Sequence, residues 1–109
     1  IADPGQLVVV HDELDLSPGV VKVKVGGGLA GHNGLKSIRQ HVHSEAFVRV
    51  RVGVGKPPGS TPGAVHVLKP FGKADRELID VAVQVAADAV ELIVSDGPDA
   101  AMNRINARG

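Results

Sequence analysis

The sequence predicts an α/β fold, a mixed, partly parallel sheet flanked by helices. Three observations carry this. Residues 7–10 (Leu-Val-Val-Val) form a continuous apolar run, the mark of a strand covered on both faces as in parallel sheets. Residues 20–25 and 47–54 alternate with a period of two, which suits half-buried strands. Residues 73–95 repeat their apolar positions with helical period. Strands and helices therefore interleave along 109 residues, enough for at most one domain.

Taken in order, Asp3-Pro4-Gly5 reads as a turn, and the apolar strand after it runs straight into His11-Asp12-Glu13. Leu16-Ser17-Pro18-Gly19 is a second turn. In the next strand Val21, Val23 and Val25 point one way, Lys22 and Lys24 the other. After a glycine-rich loop, Asn33 is placed to cap a helix over 34–42, with Leu35, Ile38 and Val42 on its apolar side. In 47–54 the valines Val48, Val50, Val52 and Val54 point inward and Arg49 and Arg51 outward. Residues 56–70, rich in proline and glycine around Val65-His66-Val67-Leu68, read as a mobile loop broken by one short strand. The long helix has a polar stripe of Lys73, Arg76, Glu77, Asp80, Gln84, Asp88 and Glu91. Its buried side is Leu78, Ala82, Val85, Ala89, Leu92 and Ile93. Gly97 and Pro98 stop it, and 100–107 form a last short helix.

Composition narrows the function. Lysines plus arginines number 12, as do the acids, so no bulk field draws the chain to nucleic acid or anionic lipid, and any such contact must use a local patch. Phe47 and Phe71 are the only aromatic residues of the Phe, Tyr and Trp class, which argues against reading single strands by base stacking. With no cysteine there is neither a disulfide framework nor a thiolate metal site, consistent with a reducing cytoplasm. No apolar run reaches membrane length and no signal peptide is evident.

The stretch Gly26-Gly27-Gly28-Leu29-Ala30-Gly31-His32-Asn33-Gly34-Leu35-Lys36 is the best candidate site. A strand precedes it, a helix follows, and missing side chains let a ligand approach the backbone. Gly26-x-Gly28-x-x-Gly31 matches the dinucleotide fingerprint, but that fingerprint needs an acid at the end of the next strand, where this chain has Gly53-Val54-Gly55-Lys56. A phosphate-binding P-loop fails because leucine separates Gly34 from Lys36. Asp12, at a strand end, either orients an imidazole or caps a turn, and spacing alone does not choose. The five histidines show no helical ligand spacing, so no metal is expected, and His41 and His43 read as helix-end surface residues. If the two alternating strands are neighbours, Lys22, Lys24, Arg49 and Arg51 share one face suited to phosphates; residue pattern alone favours an ordinary solvated face.

Several blocks together resemble bacterial peptidyl-tRNA hydrolase. They are Val10-His11-Asp12-Glu13-Leu14-Asp15, Pro18-Gly19, Lys22-x-Lys24-x-Gly26-Gly27-Gly28, Gly31-His32-Asn33-Gly34-Leu35-Lys36 and Phe47-x-Arg49-x-Arg51-x-Gly53-x-Gly55. The likeness continues through Val67-Leu68 and the long helix to Asn103-Arg104. It implies a cytoplasmic, monomeric hydrolase that cleaves the ester between a peptide and the terminal ribose of tRNA, without metal or organic cofactor and without a membrane partner. Asp12 matches the aspartate that orients the catalytic histidine, and Asn33 an asparagine that positions substrate or the attacking water. His32 and Gly31 lie beside it as substrate contacts. Lys22, Lys24 and Arg51 match positions associated with tRNA phosphates, which turns the reading of the cationic face toward a site. Residues 56–70 look like the segment bordering the substrate cleft.

The family's catalytic histidine, near an Asn-Pro-Gly turn, and a further asparagine after a Phe-Met or Tyr-Met pair have no counterpart here. Together with a chain opening on Ile1, this leads to the expectation that residues 1–109 are the C-terminal portion of a longer single-domain hydrolase. That portion would lack the general base. The rival expectation is a non-catalytic module that holds RNA or a phosphate on the same face.

Overall fold

In the computed structural model, which describes residues 4–28, 32–55 and 72–107, three strands form one sheet. They are β1 (Val8–Glu13), β2 (Val21–Val25) and β3 (Val48–Gly53), in the order β1-β3-β2. β1 runs parallel to β3 and β2 antiparallel to it, so the mixed sheet and the α/β class are as the sequence predicts. The helices are α1 (Asn33–Val42), α2 (Lys73–Asp96) and α3 (Pro98–Asn106). The short strand expected near Val65 lies outside the described residues.

Period-two alternation sorts the sheet into two faces. On one, Val21, Val23, Val48 and Val50 meet Ala82, Ala86, Ala89 and Ile93 of α2 and Ala101 and Ile105 of α3. Alanines along that stripe let the helix backbone approach the valines closely, which favours dense packing. On the other face Phe47 and Leu35 of α1 form a second cluster with Leu7, Val9 and Ile38. β3 is thus sandwiched, and even Arg49 is only 3 % exposed. The arginine does point away from the valines, as the alternation requires, but not into solvent.

The edges are treated differently. The outer side of β2 is blunted by the Asn106 carboxamide, which accepts from Val23 N at 2.7 Å and donates to Val23 O at 3.0 Å, completing the ladder as a strand would. β1 has no strand on its outer side among the described residues, and Val10 is half exposed. The apolar run at 7–10 nonetheless packs on both faces, Val8 against the first cluster and Leu7 and Val9 against the second, and only Val10 departs from the expected cover. At the carboxyl ends of β1 and β3 the turn through Leu16–Ser17 lies against Gly53. A Cβ there would stand 2.2 Å from Ser17 O, so only glycine permits this approach.

Three local expectations are corrected. The cap of α1 is His32, not Asn33. His32 has extended angles and its Nδ1 accepts from Leu35 N, while Asn33 is already helical. On α2 the predicted polar stripe is exposed and Ala82, Ala89 and Ile93 are buried. Leu78, however, is half exposed along Gly19, and Ala86 takes an interior place instead. Finally, α3 starts earlier than expected, because Gly97 at φ 92° ends α2 and Pro98 occupies the first position of the next helix.

Candidate active site

The side chains with chemistry gather where β1 ends. In an open sheet with parallel strands, the carboxyl ends are where the backbone leaves room for a ligand. Asp12 Oδ1 lies 2.9 Å from His32 Nε2, although 20 residues separate them. His32 Nδ1 is 3.2 Å from Leu35 N and must accept from that amide, so the ring proton resides on Nε2 and is donated to Asp12. The Asp12 side chain remains 42 % exposed, and its Oδ2 has no hydrogen bond among the described residues. Among the described residues, one carboxylate oxygen is anchored and the other is left without a partner.

His11 braces the same aspartate from behind. Its ring stands edge-on to His32 at 5.1 Å between centroids, and its Nδ1 donates to the Asp12 carbonyl at 2.8 Å. That bond fixes the proton on Nδ1 and leaves Nε2 a buried lone pair without a partner among the described residues. Burial pulls the His11 pKa below 6.5, and nearby His32 and Arg49 act in the same direction. The bond to the Asp12 carbonyl and the charge of Glu13 oppose the shift. In the unfolded chain His11 takes up its proton near 6.5, in the native chain only at lower pH. Between those values the unfolded state binds more protons, so stability is full above about pH 6.5 and falls on acidification. His11→Gln is expected to flatten that slope between pH 7.5 and 5.5 in urea titrations; an unaltered slope would show that His11 is not its source.

The structure brings Asp12 and Asn33 to one end of the sheet through His32. Asn33 is exposed and opens α1 one residue after the bonded histidine. Gly31 lies outside the described residues, as do residues 56–70. The four cations do share one face. Lys22 stands opposite Arg51 and Lys24 opposite Arg49, each pair directly across β2 and β3. Like charges in such pairs repel unless each finds a partner. Lys22 donates to Asn106 O at 2.7 Å, and Arg51 lies 3.9 Å from Glu13. Lys24 is exposed and folds over the loop, its Cε 2.6 Å from where a Cβ on Gly27 would be. Arg49 is no surface cation at all. Its guanidinium donates to Gly28 O at 2.6 Å and to Gly27 O, and it sits 5.5 Å over the Phe47 ring.

Sequence reasoning therefore missed two contacts. The Asp12–His32 bond has no spacing signal, since it depends on where the glycine loop returns. The Arg49 clamp had a faint one, a cation in the central strand opposite a loop full of free carbonyls. Among the described residues no three His, Asp or Glu side chains are grouped as a metal would need, and no helix is long and apolar enough to cross a membrane.

A family model described as peptidyl-tRNA hydrolase matches residues 2–109. The peptidyl-tRNA hydrolase of Rhodococcus opacus is 49 % identical over 104 residues, 95 % of this chain and 55 % of that protein. That of Rubrobacter xylanophilus is 54 % identical over 102 residues, 94 % and 56 % of the two chains. The crystal structure of peptidyl-tRNA hydrolase from Acinetobacter baumannii superposes with a TM-score of 0.82 at 41 % identity, covering 92 % of this chain and 50 % of that one. The chain thus spans about half the length of the relatives it matches. On the strength of that match, along nearly its whole length, the chain belongs to the peptidyl-tRNA hydrolase family.

Proposed function

We propose that these 109 residues form the C-terminal portion of an enzyme that hydrolyses the ester between a peptide and tRNA. The observation that carries the reading is Asp12, with one oxygen tied to His32 and the other without a partner among the described residues at the strand tip. A carboxylate held in that way can receive an imidazole N–H from outside this stretch, fix its tautomer and favour the imidazolium that forms as the ring takes a proton from water. The water oxygen then bonds to the ester carbonyl, the ribose oxygen leaves with a proton, and free peptide and tRNA result. Asn33 positions the water or the carbonyl, and Gly31, outside the described residues, is assigned to substrate binding. Lys24 and Arg51, with Lys22 behind them, hold the phosphates of the acceptor end.

The competing reading is a module that binds RNA or a phosphate without cleaving it; the crowding of Lys22, Lys24 and Arg51 on one face favours binding in either case. Hydrolysis of an N-blocked aminoacyl-tRNA separates the two, assayed with this chain alone and mixed with the other half of a relative. Cleavage only in the mixture supports the proposal. Salt-sensitive binding without cleavage in both supports the module. In the same binding assay, Lys24→Gln and Arg51→Gln are each expected to weaken RNA affinity and reduce the slope of log K against log salt by about one. Arg49→Gln is expected to leave the slope unchanged and instead destabilise the fold, since two charged hydrogen bonds worth about 1.5–3 kcal/mol each are lost. A salt slope that changes equally in all three variants would return Arg49 to the binding surface.

A further inference from the structure

We propose that His32 is a positioning residue for Asp12, and neither a general base nor a direct substrate contact. This rests on the reading that Asp12 takes part in hydrolysis. The argument is one of hydrogen-bond capacity. A neutral imidazole has one donor and one acceptor. The acceptor, Nδ1, is consumed by the Leu35 amide at 3.2 Å, and the donor, Nε2, by Asp12 Oδ1 at 2.9 Å. A general base needs a free lone pair, which His32 lacks, and a donor to substrate would first have to abandon the aspartate. The ring instead ties the tip of β1 to the first turn of α1, the turn that carries Asn33. The relative placement of Asp12 and Asn33, two residues from different elements, is set through this one side chain.

Two further features hold the ring. His11 abuts it edge-on, at an interplanar angle of 69°. Gly34 makes room for it, because a Cβ there would stand 3.1 Å from His32 Cε1 and 3.3 Å from Nδ1. Alanine normally favours a helix over glycine. At position 34 the gain in helix propensity would come with pressure on the ring.

The bridge can be read directly on the 109-residue chain by long-range proton–nitrogen correlation of the imidazoles. The expected result is a His32 ring protonated at Nε2 alone, and a His11 ring protonated at Nδ1 alone. Asp12→Asn should shift the His32 Nε2 signal, because the acceptor loses its charge. A His32 ring protonated at Nδ1, or one unmoved by Asp12→Asn, would overturn the proposal.

Two substitutions divide the bridge. His32→Asn places an acceptor near the Nδ1 position and keeps the Leu35 amide protected from hydrogen exchange, but cannot reach Asp12. His32→Gln places a donor near the Nε2 position and keeps the bond to Asp12, while exposing the Leu35 amide. In the chain completed by the other half of a relative, His32→Asn is expected to lower kcat by about 10–100-fold, as loss of an outer supporting partner does elsewhere, with KM unchanged. His32→Gln should restore most of that kcat. A rise in KM at constant kcat in His32→Asn would instead make His32 a substrate contact and overturn the inference. If the completed chain cleaves nothing, the hydrolase reading fails, while the imidazole spectra still decide whether the bridge exists.

Discussion

Asp12→Asn in the chain completed by the other half of a relative is expected to lower turnover by about 10²–10⁴-fold, the range in which a misdirected general base costs an enzyme. The affinity for tRNA should hardly change. An amide fills the same space as the carboxylate and its oxygen can still accept from His32, so the loop and α1 stay in place. What disappears is the negative charge that the proposed visiting imidazole would face. A neutral amide neither prefers the productive tautomer nor stabilises the imidazolium that forms as water is deprotonated. Phosphate binding is proposed for Lys24 and Arg51, which do not hydrogen-bond Asp12. Single-turnover hydrolysis and a binding titration on the same preparation give the two numbers. Unchanged turnover would remove Asp12 from the mechanism, and a matching loss of affinity would make it a binding residue.

How much of this was legible in the chain depends on which physical signal each residue carries. Val21, Val23, Val48 and Val50 betray their strands because a half-covered strand must alternate, and the structure puts all four in one layer. The end of β1 was harder to see. Its apolar run stops at Val10, yet the backbone continues to pair with β3 through Glu13, because ladder hydrogen bonds do not depend on side-chain polarity. Arg49 shows a second limit: period two tells which face a residue takes, but not what covers that face. Here the cover is the glycine loop itself, whose carbonyls at Gly27 and Gly28 are the partners a buried guanidinium needs. The cap of α1 shows a third. Propensity points to Asn33, while His32, one residue earlier, takes the place because its Nδ1 reaches the third amide of the helix. Composition points to the blocks that make a site, and the tertiary fold decides which atoms in them meet.

Phe47→Ala is expected to be the most damaging single change to the fold, costing about 3–5 kcal/mol. The ring is wholly buried and, with Leu35, forms the centre of the only cluster between α1 and the sheet among the described residues. Truncation removes that apolar contact and leaves a cavity that Leu7, Val9 and Ile38 would have to collapse into. It also takes away the surface under the Arg49 guanidinium, a contact worth about 0.5–2 kcal/mol when partly desolvated. Domains of this size are stable by about 5–15 kcal/mol in total, so the loss is a large share. The damage should be local before it is global. The face covered by α2 and α3 keeps its own valine and alanine layer, whereas α1 loses the floor on which Leu35 rests. Hydrogen exchange at Leu35 and the Asp12-bonded proton of His32 should therefore respond at denaturant concentrations that leave Val23 and Val50 protected. Urea unfolding gives the total, and Phe47→Leu, which keeps most of the volume, should recover more than half of it. A Phe47→Ala chain within about 1 kcal/mol of the parent, the ordinary cost of a random substitution, would mean that α1 and the end that carries His32 and Asn33 are held by something other than this cluster.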